Sequence, residues 1–191
     1  MLRSVAWGTA ASRGARLALL APVLVYLVMI ALFIKDSNSA FGLPLDDGWI
    51  HRVYSRSFAS GHGFAYNDGE QEAGSTSPLW VVVSAPAHWF GAAGAKTVIA
   101  LVKVISIILG LVFLGCAGYI GREVTGSTVA GCVAAVLLAL EPRFLFSSLS
   151  GMEINLLIAI WAGGAAALLA GRLLLSVLLF SLAPVARPEA I

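Results

Sequence analysis

Five runs of apolar residues divide the chain, and one long polar stretch separates the first run from the rest. The runs cover residues 17–34 and about 97–120, 127–149, 154–170 and 173–185. About 20 apolar residues in a helix are enough to cross the hydrocarbon core of a bilayer. The pattern therefore predicts an all-α polytopic membrane protein with about five transmembrane helices and a long loop over residues 35–96.

The arginines outside the apolar runs predict the orientation of the chain. Three arginines precede the first run, and Arg122 and Arg172 lie in two of the short linkers. Because positively charged loops stay in the cytoplasm, these segments are expected inside and the loop 35–96 outside. The linker SGME at 150–153 and the segment ARPEA at 186–190 return to the same outer side.

A cleavable signal peptide is the alternative explanation of the first run, because the small residues SNSA follow it at 37–40. The apolar core of a signal peptide usually has about 7 to 15 residues, and this run is longer. The prediction is therefore an uncleaved first helix.

The composition supports a membrane protein and argues against nucleic acid as a partner. Of the residues, 59% are hydrophobic and 12% are charged, and the mean hydropathy is +0.91. A formal net charge of +2, without a run of Lys or Arg, provides no electrostatic footprint for nucleic acid. Cys116 and Cys132 lie in apolar runs and are expected to be small buried hydrophobic side chains.

Two amphipathic segments are predicted within the outer loop. In WIHRVYSRSFA, the apolar Trp49, Val53 and Tyr54 follow a helical spacing, and polar and basic residues occupy the other side. PLWVVVSAPAHWFGAAG, at 78–94, is short and interrupted by Pro86, which favours a helix at the membrane surface over a further crossing. Both segments are expected to lie along the bilayer.

Two adjacent acids, Asp46 and Asp47, stand just before the first amphipathic segment. A helix cap and a favourable contact with the helix dipole, worth about 1 kcal/mol, would explain one of them. A pair of acids at a membrane surface, followed by arginines, also suits a general base, a metal ligand or a contact with a phosphate group. The spacing alone leaves these alternatives open.

Four motifs follow one another along the polar parts of the chain. They are DD-x-x-I-x-R-x-Y-x-R-x-F-A-x-G-H-G-F-x-Y-N-x-G-E, then G-x-T-S-P-L-W, then S-G-M-E-x-x-L, and finally A-R-P-E. In this order they resemble the GT-C class of membrane glycosyltransferases, above all the bacterial branch that includes the arabinofuranosyltransferases. Protein mannosyltransferases, lipid A aminoarabinose transferases and the catalytic subunit of oligosaccharyltransferase are more distantly similar.

The resemblance implies transfer of a sugar from a polyprenyl-phosphate donor to a hydroxyl of a glycan, lipid or protein acceptor, on the outer face of a bacterial inner membrane. In the family, an acid just past the first span acts as base on the acceptor, and this role falls on Asp46 or Asp47. His51, Arg52 and Arg56 are the candidates for contact with phosphate or acceptor. Arginines that snorkel from an interfacial helix are the alternative.

The resemblance also implies a second acid near the pocket, and this position is Glu153. A glutamate favoured by the dipole at a helix start is the alternative. No cofactor is firmly predicted, and the candidate ligands of a divalent metal are Asp46, Asp47 and Glu153. The remaining matches are candidate substrate-binding or structural residues: Tyr66, Asn67, Glu70, Arg187 and Glu189.

The chain departs from the family pattern in two places. It reads AGST at 73–76 where the family has an acidic residue, Gly, an aromatic residue and Thr, so acceptor contacts there are in doubt. Members of the class also continue for several more spans, whereas this sequence ends at Ile191. Residues 1–191 are therefore expected to be the N-terminal portion of a GT-C transmembrane domain, as a fragment, a truncated product or one piece of a split enzyme.

Two other classes of protein stay open. A small transporter or channel would place Lys103, Glu141 and Arg143 along a path, but the chain lacks the internal repeats and paired interrupted helices of transporters. A non-catalytic remnant of an enzyme is the other alternative. Lys103, about one turn from an outer helix end, is expected to snorkel if it has no such role.

Overall fold

All the secondary structure that the computed structural model describes is helical, apart from one isolated bridge, which confirms the all-α prediction. The structure describes residues 13–37, 42–67, 70–72, 74–91 and 94–188. Within these ranges the isolated antiparallel bridge joins Ala65 and Gln71. The helices are α1 (Arg13–Ser37), α2 (Asp46–Ala59), α3 (Pro78–Ser84), α4 (Pro86–Trp89), α5 (Ala95–Thr125), α6 (Thr128–Ala139), α7 (Pro142–Ser150), α8 (Ile154–Leu169) and α9 (Leu173–Ala186).

One helix among the described residues, α5, is long and apolar enough by itself to cross a bilayer, with 31 residues. A second crossing results if α6 and α7, which are bent by 62°, together form one broken span. The helices α8 and α9 are apolar but have only 16 and 14 residues. The total of about five transmembrane helices therefore stays a prediction.

The apolar run at 127–149 predicts one continuous helix, and the structure corrects this. The run forms α6 and α7, with the break at Leu140 and Glu141. Pro142 is the first residue of α7, and a proline ring disfavours the helical conformation of the residue before it. The Glu141 side chain accepts a hydrogen bond of 3.3 Å from the backbone N–H of Arg143, so the new helix is capped where the old one ends.

The helix α5 packs closely against α6 because small residues meet at their contact. A Cβ atom added at Gly121 would lie 3.0 Å from the Cα of Gly131, and one added at Gly118 would lie 3.6 Å from the Cβ of Ala135. Without side chains at these positions the two backbones approach more closely than larger residues allow. This contact fixes α5 and α6 as an antiparallel pair.

Two clusters of buried apolar side chains form the core. The first cluster joins α3, α4, α5, α8 and α9, and it contains Trp80, Ala87, Val98, Val102, Leu156, Leu157, Ile160, Ala183 and Ala186. The second cluster joins α1, α5, α6 and α7 through Tyr26, Ile30, Leu114, Ala139, Phe144, Leu145 and Leu149. Both clusters include α5, which is therefore the central helix of the fold.

The predicted surface helix at 78–94 is two short helices, and part of it packs inward. Pro86 begins α4 directly after α3. Trp80 is fully buried, and its indole N–H donates a hydrogen bond of 2.8 Å to the carbonyl of Gly151. Trp89, in contrast, is 69% exposed. Of these two tryptophans, Trp80 therefore packs into the protein and Trp89 lies at its surface.

Lys103 anchors the segment that precedes α2 and does not snorkel. Its side chain is buried, and Nζ donates a hydrogen bond of 2.7 Å to the carbonyl of Gly42, just before α2. A second tie comes from Ser77, whose hydroxyl donates to the carbonyl of Ala186 over 2.5 Å. These bonds hold the segment around α2 and α3 against the ends of α5 and α9.

Candidate functional site

The helix α2 faces the protein with polar residues that the helical pattern assigned to the solvent side. His51, Tyr54 and Ser55 are buried, whereas Trp49 is 39% exposed. The expectation of an apolar face containing Tyr54 and an opposite polar face containing His51 and Ser55 is therefore wrong in its orientation. The physical reason is that His51 and Ser55 have polar partners on other elements, namely Glu153 and His88. Contact with these partners offsets the cost of burying a polar side chain.

One buried acid connects three distant parts of the chain. Glu153 directly precedes α8, and its Oε2 atom lies 3.1 Å from Nε2 of His51 in α2. Its other oxygen, Oε1, lies 3.4 Å from Nη1 of Arg187, which follows α9. We call His51, Glu153 and Arg187 the outer cluster. Three residues that the sequence analysis singled out separately are thus in contact.

The surroundings of Glu153 favour its carboxylate form. Burial alone would raise its pKa, but the contact with His51, the backbone at Glu153 itself and the charge of Arg187 together outweigh burial and lower the pKa. An acid with such partners stays charged inside a protein, where an unpaired acid would take up a proton. The Nδ1 atom of His51 is buried and has no hydrogen-bond partner within the described ranges.

The helix α2 also carries two arginines, Arg52 next to His51 in the sequence and Arg56 about one turn further on. Arg56 is exposed, and Arg52 is half-buried with its guanidinium 5.5 Å from the centre of the Trp49 ring. Burial, and then the charge of Arg56, lower the pKa of Arg52. The snorkelling explanation therefore suits Arg56 better than Arg52, whose Nε atom is buried and unpaired in the part of the chain that the structure describes.

His88 in α4 belongs beside these arginines, and the sequence analysis missed it. Its Nε2 atom lies 2.9 Å from the hydroxyl of Ser55. Burial, and then the charges of Arg52 and Arg56, lower the pKa of His88 to about 4, so its imidazole is neutral at pH 7. No local sequence signal marks this residue, because its partners lie on another helix.

Asp46 and Asp47 occupy the first turn of α2 and are both exposed. The residue at the N-cap is Leu45, without a side-chain cap, so the capping explanation of the acids is wrong and the dipole contact remains. A Cβ added at Gly48 would lie 2.7 Å from the carbonyl of Ser150. The start of α2 therefore rests on the turn that leads to Glu153, with the two acids beside it.

The loop after α2 places its predicted residues at the surface of the protein. Tyr66 is 45% exposed, and its ring packs against that of Tyr54 at an angle of 56°, with 5.9 Å between ring centres. The amide of Asn67 donates a hydrogen bond of 3.4 Å to Glu70, and both side chains are exposed. Glu189 lies outside the described residues.

The acids proposed as metal ligands do not form a ligand set in this structure. Within the described ranges there is no group of three or more His, Cys, Asp and Glu side chains that would hold a metal ion. Asp46, Asp47 and Glu153 are therefore not such a group.

A buried polar network inside the helices is a further feature that the sequence analysis missed. The side chain of Asn155 accepts from Ser147 over 2.7 Å and donates to Ser148 over 2.9 Å and to the carbonyl of Ser106 over 3.0 Å. Tyr26 donates to the Ser148 hydroxyl over 2.6 Å. The signal for it was a lone asparagine in an apolar run, next to the motif that carries Glu153.

The residues considered for a transport path lie in two different settings. Lys103 is buried and bonded to the carbonyl of Gly42. Glu141 and Arg143 are exposed at the corner between α6 and α7. None of these contacts favours transport over a structural role.

Comparison of the chain with known protein families, with curated proteins and with solved structures found no match.

Proposed function

We propose that this protein is a membrane glycosyltransferase of the GT-C type, or the N-terminal portion of one. It would transfer a sugar from a polyprenyl-phosphate donor to an acceptor hydroxyl on the outer face of a bacterial inner membrane. Its N-terminus would lie in the cytoplasm, and α2 would lie at the outer surface of the bilayer.

The observation that carries the proposal is the outer cluster. His51, Glu153 and Arg187 come from three of the four motifs that resemble the GT-C pattern, and they contact one another. A buried charged group is costly unless it is paired, so a fold that keeps one here uses it for positioning or chemistry. The remaining motif, G-x-T-S-P-L-W, contributes Trp80, whose indole N–H donates to the carbonyl of Gly151, two residues before Glu153.

Sugar transfer requires a base for the acceptor and a cation for the leaving phosphate, and α2 carries candidates for both roles. An acceptor hydroxyl needs a base to take its proton, and the exposed Asp46 and Asp47 are accessible to it. Charge develops on the departing lipid phosphate, and Arg52 and Arg56 are the nearest cations on the same helix. Glu153 acts as a positioning residue, because it holds the inner side of α2 through His51.

The test is sugar transfer by the protein in membranes, with polyprenyl-phosphate arabinose and polyprenyl-phosphate mannose as donors. The double variant Asp46→Asn, Asp47→Asn should lower the rate by at least about 100-fold, since general base catalysis contributes about 10²- to 10⁴-fold. Asp36→Asn, which changes an exposed acid at the end of α1, should leave the rate unchanged. The two single variants would then identify the base.

Two results would contradict the proposal. One is transfer by the double variant at the rate of the unchanged protein. The other is the absence of transfer from both donors by a protein whose folding and membrane insertion are intact. The second result would favour the alternative of a non-catalytic remnant.

A further inference from the structure

A groove of about 590 Å³ lies on the outer side of the protein, next to the loop that follows α2. Its lining comes from this loop and from the start of α3, and consists of Gly63, Phe64, Gln71, Glu72, Ser75 and Pro78. Binding sites for small ligands usually have volumes of about 300 to 1,000 Å³. None of the lining residues was a candidate for catalysis or phosphate binding, so the groove requires its own explanation.

Backbone contacts give the groove ordered walls. The bridge between Ala65 and Gln71 and a hydrogen bond of 3.1 Å from the N–H of Glu72 to the carbonyl of Phe64 hold the two arms of the loop together. The ring of Phe64 packs on Phe58 of α2, with 5.3 Å between ring centres. The groove is therefore built on the end of α2 and not on a loosely attached loop.

The chemistry of the lining selects one class of ligand. Phe64 and Pro78 offer apolar surface, while Gln71, Glu72 and Ser75 offer an amide, a carboxylate and a hydroxyl. A sugar ring has the complementary pattern, because its C–H groups form an apolar face and its hydroxyls form a polar rim. Aromatic faces carry partial negative charge and attract such C–H groups.

Charge argues against the lipid-phosphate donor as the occupant. Among the described residues that line the groove there is no cation, and one of them supplies the carboxylate of Glu72. The same carboxylate helps to raise the pKa of the neighbouring Tyr54, although burial of that tyrosine is the larger cause. A phosphate group would be repelled here, whereas an uncharged saccharide would not.

The groove adjoins the outer cluster through one wall. Ser75 accepts a hydrogen bond of 3.4 Å from the N–H of Ser77, and the Ser77 hydroxyl donates to the carbonyl of Ala186. Arg187 is the next residue and contacts Glu153. A ligand bound in the groove would thus lie beside the region that the proposed function assigns to sugar transfer.

From these observations we propose that the groove is a binding site for a neutral oligosaccharide. Phe64 stacks on a sugar ring, and Gln71, Glu72 and Ser75 bond to its hydroxyls. The identification of this saccharide as the acceptor, rather than a protein or a simple lipid, rests on the proposed function. The binding of a saccharide does not.

The test measures binding of the protein, reconstituted in lipid nanodiscs, to an array of immobilised neutral oligosaccharides and to an array of peptides. We expect binding to at least one group of related oligosaccharides. Phe64→Ala and Gln71→Ala should each weaken it by at least tenfold. Phe90→Ala is the matched control, because it removes a phenyl ring that is 66% exposed and lies outside the groove lining.

The outcomes separate this inference from the proposed function. In one outcome, the unchanged protein binds oligosaccharides through Phe64 but transfers no sugar, and the Asp46→Asn, Asp47→Asn variant binds them equally well. This outcome supports the groove and contradicts the enzyme. Transfer with normal acceptor KM in both groove variants contradicts the groove and supports the enzyme. No oligosaccharide bound, equal binding by Phe64→Ala and Phe90→Ala, or Phe64-dependent binding of peptides alone would each overturn the saccharide site.

Discussion

The Nε2 atom of His51 lies 3.1 Å from a carboxylate oxygen of Glu153, and both side chains are almost completely buried. Since the second oxygen of Glu153 contacts Arg187, one acid holds the amphipathic α2 against the start of α8 and the end of α9. Burying a charge costs several kcal/mol unless partners replace its water. The position of α2 and the charge of Glu153 are therefore linked, and this link makes both accessible to experiment.

Glu153→Gln should lower the free energy of unfolding by about 3 kcal/mol, because it removes the buried carboxylate that contacts both His51 and Arg187. Denaturant unfolding in detergent micelles measures this. The control is Glu123→Gln, which removes a carboxylate 3.7 Å from Arg122 at the surface and should cost less than about 1 kcal/mol. Equal losses in the two variants would show that the outer cluster does not hold α2.

Lowering the pH from 6.5 to about 4 should destabilise the protein through His88. In the unfolded chain this histidine takes up a proton near pH 6.5, whereas in the fold its pKa is about 4. The unfolded state therefore binds more protons in this window, and stability is complete above pH 6.5 and is lost as the pH falls towards 4.

Unfolding curves at several pH values test this expectation. His88→Gln should make stability less dependent on pH between 6.5 and 4, while His62→Gln, which changes an exposed histidine, should not. The same slope in all three proteins would mean that His88 is not held neutral by burial and by the two arginines.

Trp80→Phe should cost about 1 to 3 kcal/mol of stability, because the carbonyl of Gly151 loses its buried donor. Trp89→Phe is the matched control, since that indole is exposed and its bond to the carbonyl of Ala59 is longer, at 3.3 Å. Thermal unfolding of the two variants compares them directly. A larger effect at Trp89 would contradict the inward packing of α3.

Asn155→Ala should destabilise the protein by about 1 to 3 kcal/mol, because Ser147, Ser148 and the carbonyl of Ser106 lose a shared partner away from water. Asn67→Ala removes an exposed amide with one hydrogen bond of 3.4 Å and should change stability by less than about 0.5 kcal/mol. Chemical denaturation measures both. Equal changes in the free energy of unfolding in the two variants would mean that the buried network around Asn155 does not stabilise the fold.

The fold was predictable where a local pattern acts alone. The apolar run at 97–120 predicts a helix, and α5 extends over it. The polar partners of α2 were not predictable, because a helical pattern shows that one face differs from the other and not which face will be buried. The break between α6 and α7 has a local cause in Pro142, yet the apolar run around it was interpreted as one continuous helix.

The candidate site was predictable as residues and not as an arrangement. His51, Glu153 and Arg187 stand out in the sequence as charged or titratable groups beside apolar runs, yet nothing in their spacing shows that they touch. His88 received no notice, because the lowering of its pKa depends on Arg52 and Arg56 from another helix. Groups that act through space across helices leave no periodic signal along the chain.

The sequence by itself determined the helical class, the segments that avoid water and the polar residues available for chemistry. These properties depend on side-chain polarity and on the period of a helix, both of which are local. Only the tertiary structure decided which face of α2 is buried and that Glu153 contacts both His51 and Arg187. The physical reason is that a buried carboxylate needs partners from whichever segments the packing of α5, α8 and α9 brings near it.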